Sequence, residues 1–267
     1  MQASPKTVGD HVRTWRTRRR LSQLHFALDA EVSQRHLSFI ESNRATPSRD
    51  MILRIAEHLD VPLRDRNAML LAAGYAPQFR ERQLDDPTLK AARAAIDLIL
   101  KGHEPYPAIA VDRHWTLLAA NGAVAPLLDL VSDSTLLKPP INVLRLSLHP
   151  GGLAPHIRNF TEWRHHLLDR LRRQIDVSAD PVLQRLSGEL QALPQPSEVQ
   201  GGTGNHGVDD ASVMVPLQLA TPFGVLNFFS TITVFGSPVE ITLSEIALEA
   251  FYPADTETAE ALRRVRT

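Results

Sequence analysis

The sequence has 267 residues, 43% of them hydrophobic and 22% charged, which fits a folded soluble protein whose length points to two domains. It contains no Cys, which excludes disulfides, thiolate metal sites and a Cys nucleophile. The net charge of −1 conceals a split, with +5 on residues 1–82 and −6 on the remainder, so only the first part suits a polyanionic partner. No uncharged apolar run reaches the ~18 residues of a membrane span. Met1–Pro5 lacks the apolar run of a secretion signal. A cytoplasmic protein without membrane contact is expected.

Taken in chain order, the N-terminal part reads as five short helices. Val8, Val12 and Trp15 recur at helical spacing, and Arg13, Arg16, Arg18, Arg19 and Arg20 form a basic cluster suited to a solvated face or a polyanion. Ser22 is a good N-cap for a second helix that buries Phe26, Ala27 and Ala30, and a tight turn at Ala30–Val32 follows. Ser33 then caps a third helix with Leu37 and Ile40 inward. Ser48 caps a fourth, with Ile52, Ile55, Ala56 and Leu59 on one face, and a fifth runs from about Arg64 to Ala73-Gly74. Gln78–Asp86 reads as linker, and Asp86-Pro87 as a helix start with Leu89, Ile96 and Leu100 on its apolar side.

The texture then changes. Pro107–Asp112 and Trp115–Ala119 read as a strand hairpin, followed by a helix through Val124, Leu127 and Leu128. Asn159–Gln174 and Pro181–Ala192 read as helices, with Arg164, Arg170, Arg172 and Arg173 forming a solvated face or a partner surface. Residues 194–210, rich in Gly and Pro, suit a mobile loop. Val213, Val215, Leu217 and Leu219 alternate as in a strand, and Val225–Phe235, apolar or β-branched on both faces, suits a central one. Val239–Tyr252 fits either strand or helix, and a short helix starts at Asp255.

The second and third helices form a constellation suited to reading DNA. A helix fits the major groove and presents its N-terminal turn to base edges. Gln34 can pair with adenine, Arg35 with guanine, and the ring of Phe39 can press on a thymine methyl, with His36 beside them and Ser33 as the cap. Gln23 is placed to hold a phosphate, and Asn43 and Arg44 to clamp the same strand. In an unrelated helical bundle Gln34 and Arg35 would be plain surface residues and Phe39 partly core.

The run Leu21-Ser22-Gln23, Phe26-Ala27, Val32-Ser33, Leu37, Ile40-Glu41, Pro47-Ser48 and Leu53–Leu59 resembles the phage-repressor-like (XRE-type) helix-turn-helix family. The resemblance implies a pair between Arg16 and Glu41. Glu31 and Asn43 stand where that family usually has Gly, and a left-handed conformation would cost Glu31 roughly 1–2 kcal/mol. Further on, Arg145–Pro150, Asn159–Trp163 and Ala247–Asp255, with Arg66–Tyr75 earlier, resemble the MmyB-like regulators. Those are described as carrying a PAS-like ligand-binding domain, an antiparallel sheet with helices on one face. The implied ligand is small and apolar, for instance a fatty acid, and its carboxylate would need Arg145, His149, Asn159 or Trp163. Trp163 also suits the core, and Asn159 an N-cap.

An enzyme finds little support. His165 and His166 diverge on a helix, and His149 and His156 flank a turn without a carboxylate at ligand spacing, so no metal site is expected. Gly201–Gly204 lacks the Lys of a phosphate loop, and there is no nucleophile elbow. No catalytic residues and no cofactor are expected. The expected organisation is an all-α five-helix helix-turn-helix domain at 1–77, a linker at 78–88 and an α+β PAS-like domain at 89–267. The expected function is a transcription regulator that binds a palindromic double-stranded operator as a homodimer and senses an apolar ligand. The alternative is a helix-turn-helix protein whose second domain serves protein interaction or dimerisation without a ligand.

Overall fold

The computed structural model describes residues 6–82, 84–195, 215–236 and 240–265. They divide into two compact units, Met1–Gln83 with Ser237–Ser244, and Leu84–Gly236 with Glu245–Thr267.

The first unit contains α1 (Val8–Arg18), α2 (Gln23–Asp29), α3 (Gln34–Glu41), α4 (Arg49–His58) and α5 (Leu63–Ala72). Local chemistry sets their starts. Thr7, Ser22, Ser33 and Ser48 each accept the backbone N–H three residues on, satisfying donors that a helix leaves free. Their ends share one device. Arg20, Glu31, Asn43, Asp60 and Gly74 take left-handed φ values of 56°, 53°, 58°, 46° and 83°. Each donates its N–H to the carbonyl three residues back, and the following residue donates to the carbonyl five back. This is the Schellman closure, which normally adds an apolar contact from that following residue. Leu21, Val32, Val61 and Tyr75 supply the contact after four helices, whereas the exposed Arg44 follows α3.

The apolar stripes meet in one core that includes Val12, Trp15, Phe26, Leu37, Ile40, Ile52, Ile55 and Leu59, all nearly inaccessible. Gly9 lets α1 approach α3, since a Cβ there would lie 2.3 Å from the Ile40 carbonyl oxygen. The stretch expected as linker is held to α5. Asn67 Oδ1 accepts the N–H groups of Gln78 and Phe79 at 2.9 and 3.0 Å, and Arg64 pairs with Glu81 at 2.5 Å. The same unit includes Glu240–Ser244. Glu240 bridges Arg80, Ile241 donates its N–H to the Arg80 carbonyl at 2.9 Å, and the Thr242 hydroxyl bonds the Arg82 carbonyl. Ile241 begins a one-turn helix, α11 (Ile241–Ser244), that buries this side chain and contacts α5.

The second unit is built on five antiparallel strands in the order β2-β1-β5-β4-β3. They are β1 (Ala108–Val111), β2 (Leu117–Ala120), β3 (Leu217–Thr221), β4 (Gly224–Val234) and β5 (Ala247–Pro253). Between β2 and β3 come α7 (Ala125–Leu128), α8 (Val143–Leu148), α9 (Phe160–Ser178) and α10 (Pro181–Ala192). Trp163, Leu167 and Leu171 of α9 and Leu183, Leu186 and Leu190 of α10 share one core with strand residues such as Ile109, Leu219 and Phe228. β1 is buried at all four positions, with α6 (Lys90–Gly102) also packed against it. α12 (Thr256–Val265) closes the unit, its buried Thr258 hydroxyl accepting the Asn227 N–H at 2.9 Å.

Two expectations change here. β4 lies inside the sheet, but β3 pairs only with Gly224–Phe228, so the far half has one described strand neighbour and Thr231–Val234 are exposed. The ambiguous 239–252 stretch holds both a helical turn and a strand. Residues 196–210 of the expected Gly/Pro loop lie outside the described residues.

Candidate nucleic-acid interface and ligand cavity

The helix-turn-helix is α2, the turn Ala30–Ser33 and α3. Glu41, at the end of α3 and 1% exposed, ties its helices together. Arg16 grips its carboxylate through Nε at 2.6 Å and Nη2 at 2.8 Å, and donates from Nη1 to the Leu21 carbonyl at 2.6 Å. Gln23 Nε2 donates to the same carboxylate at 2.8 Å, and Arg13 Nη2 to the Glu41 carbonyl at 2.9 Å. Burial pushes the Glu41 carboxyl up, but the Arg16 and Gln23 hydrogen bonds and the Arg16 and Arg13 charges outweigh it and hold it below the ordinary carboxylate value. A bidentate Arg–carboxylate pair fixes orientation as well as distance, so α1, α2 and α3 are locked at one point.

On this frame Gln34 and Arg35 stand exposed in the first turn of α3, after the capping Ser33. His36 is half-buried, its N–H held by the Ser33 hydroxyl at 3.1 Å. Phe39 is half-buried with the Arg35 guanidinium 5.4 Å from its ring centre. Asn43 and Arg44 are exposed just past the helix. Gln23, expected to hold a phosphate, uses its side-chain amide on Glu41. The basic cluster divides similarly. Arg16 is structural, and Arg19 caps the end of α4 by donating to the Leu59 and Asp60 carbonyls, both at 2.9 Å. Spacing could not reveal this, because Glu41 lies 25 residues from Arg16, and Leu59 and Asp60 lie 40 and 41 residues from Arg19.

The four candidates for holding a ligand acid are each engaged inside the second unit. Arg145 pairs with Glu189 through Nε at 2.5 Å and Nη2 at 2.8 Å, and this hydrogen-bonded pairing raises the Arg145 pKa and lowers that of Glu189. His149 Nδ1 accepts the Gly151 N–H at 3.0 Å. Asn159 donates to the Pro216 carbonyl at 2.8 Å and accepts the Gln218 N–H at 3.2 Å, fastening the start of α9 to the β3 segment. Trp163, 5% exposed, donates to Ser147 Oγ at 3.0 Å. Of the arginines expected to form a solvated face, Arg170 instead reaches the buried Glu249 at 3.0 Å with its guanidinium over Trp115. Arg164 donates to the Gln191 carbonyl near the end of α10.

A cavity of about 250 Å³ opens elsewhere in this unit, small beside typical ligand pockets of roughly 300–1,000 Å³. It lies among the stretch before β1, α7, the β3–β4 turn and α12, where Glu104, Leu127, Thr221, Phe223, Leu226 and Leu262 contribute to its wall. No local signal in the sequence marked these residues, which come from four separated segments. No described helix is long and apolar enough to cross a membrane, and no described cluster of three or more His, Asp or Glu could hold a metal ion.

A helix-turn-helix whose second helix is fixed from behind and exposed at its first turn, joined in one chain to a sheet domain with helices, has the layout of a DNA-binding transcription regulator with a ligand-binding domain. The comparison with known families specifies which. Residues 12–65 match the helix-turn-helix family, and residues 92–265 match the MmyB-like transcription regulator ligand binding domain. The chain belongs to the MmyB-like transcription regulators. No curated protein matches it.

Proposed function

We propose that the protein reads a specific operator through α3, with Gln34, Arg35, His36 and Phe39 toward base edges and Ser33, Asn43 and Arg44 toward the backbone. One observation carries this reading. Glu41 and the core fix α3 from behind, while Gln34 and Arg35 project from its first turn and Gln34 has no hydrogen-bond partner among the described residues. Arg44 adds support, since a cation stands where the other helix ends place an apolar residue. Gln23 contributes by positioning, and its backbone N–H at the start of α2 stays suited to a phosphate.

A single recognition helix covers only a few base pairs, so the protein acts as a homodimer on a palindromic site, in the cytoplasm. Its second unit, PAS-like in this reading, takes a small apolar ligand that shifts the population of DNA-competent states. A fatty acid is the member of that class suggested by family resemblance. The decisive experiment is Arg35→Ala, measured by binding to operator and non-operator duplexes across a salt series. Operator binding should weaken by about 1–3 kcal/mol, with specificity relaxed at one base position. Equal loss on both duplexes, with a salt slope reduced by about one, would assign Arg35 to a phosphate instead.

A further inference from the structure

One face of α6 carries apolar residues that its own unit leaves uncovered. Ile96 and Leu100 are buried where α6 meets β1. On the opposite side Ala91, Ala94 and Leu98 recur at helical spacing, and all three are exposed. Leu98, 73% exposed, is the most exposed large apolar side chain among the described residues. A surface helix ordinarily places charged and polar residues on the side away from its core, so this stripe marks a surface for association.

The edge of the stripe indicates what fits it. Lys90 and Asp97 stand exposed along one edge, seven residues apart, and neither has a hydrogen-bond or ion-pair partner among the described residues. Opposite charges at this spacing on a single edge complement a second copy of the same helix running antiparallel. A two-fold axis near Arg93 and Ala94 brings Lys90 of each copy to Asp97 of the other, and sets Ala91 against Ala94 across the contact. A parallel pairing would face Lys90 with Ala95 and Asp97 with Gly102, leaving both charges unmatched. Side chains as small as alanine let the helix axes approach to about 8 Å.

We propose that two copies of the chain associate through antiparallel α6 helices. Ala91, Ala94 and Leu98 form the contact, and two Lys90–Asp97 pairs set its direction. The inference rests on the homodimer reading above and gives it a surface. A contact of this kind uses the same patch on both copies, so it closes at two. One helix makes a smaller patch than the standard interface, so association should depend on concentration.

The test is sedimentation of the full chain over a concentration series, free and on operator duplex. Leu98→Glu should weaken dimerisation at least about tenfold, with the unfolding midpoint unchanged because the side chain is exposed. Lys90→Glu and Asp97→Lys should each weaken it by setting like charges opposite, and the double variant should recover the original association. The absence of native Cys permits a direct check of direction. Ala94→Cys, close to the two-fold axis, should cross-link to itself on oxidation. Leu98→Cys should not, because its two copies lie roughly 13 Å apart along the helices. A dimer that ignores Leu98→Glu overturns the proposal and leaves the homodimer reading standing. So does a double variant no better than the single ones, or cross-linking of Leu98→Cys in place of Ala94→Cys. A chain that stays monomeric at every concentration, free and on duplex, removes both.

Discussion

The two units allocate their polar side chains in opposite ways. In the helix-turn-helix unit, the principal fasteners and the proposed base contacts of Gln34 and Arg35 fall on different residues. Arg16, Gln23 and Glu41 hold the helices, while Gln34 and Arg35 face outward. In the sheet unit the groups that looked available for a ligand are fasteners. Arg145 meets Glu189, Asn159 meets Gln218, and Trp163 meets Ser147. The difference has a geometric origin. On a short helix the period of 3.6 residues separates an inner from an outer face, so exposure follows from spacing. In an α+β domain a side chain is free or engaged according to which distant segment packs beside it.

The largest test of this contrast is Glu41→Ala. It leaves Arg16 without its partner in a nearly closed site, and loss of one member of such a pair costs about 3–5 kcal/mol. Denaturant unfolding should show this as a fall in midpoint with loss of DNA binding. A cost below about 1 kcal/mol would mean that the helices are held without the pair.

Acid probes the same group. The Glu41 carboxyl is held below its ordinary value of 4.5, so its stabilisation is fully present above that pH. It is lost as pH falls through the lower, folded-state value. Stability measured against pH should decline in that acid window, and Glu41→Gln should remove this part of the decline.

A smaller effect is expected at the turn before α3. Glu31 sits at φ 53°, which costs a side-chain-bearing residue about 1–2 kcal/mol, so Glu31→Gly should raise the thermal midpoint by an amount equivalent to about 1 kcal/mol. A lowered midpoint would show that the Glu side chain contributes more than its backbone conformation costs. The smallest effect belongs to the sheet unit. The Arg145–Glu189 pair is more than one-third exposed on both sides, so Arg145→Ala should cost only about 0–1 kcal/mol in denaturant unfolding. A cost above about 2 kcal/mol would make this exposed pair as important as a buried one and dissolve the contrast.

What could be read from the sequence follows the same division. Ser22, Ser33 and Ser48 announced their helices because capping is settled within three residues. The left-handed Glu31 and Asn43 were legible by family resemblance, while Arg20 and Asp60 were not, because no resemblance marked those turns, even though Asp adopts this conformation more readily than most side-chain-bearing residues. The limits of α10 at Pro181 and Ala192 matched the reading, with Asp180 as cap and Pro at the start. The one-sided far half of β4 escaped it, since apolar alternation does not report how long a neighbouring strand is. The cavity escaped as well, since Glu104, Leu127, Phe223 and Leu262 meet only after folding.

Glu240–Ser244 belong to the family-defined ligand-binding region by order in the chain, yet they complete the helix-turn-helix unit through Arg80, Arg82 and α5. The DNA-reading module is thus discontinuous in the gene. A fragment ending near residue 83 omits a segment of this unit and the contact that α11 makes with α5. Exchange of heads at a single joint near residue 83 would separate this short segment from the helix it packs against.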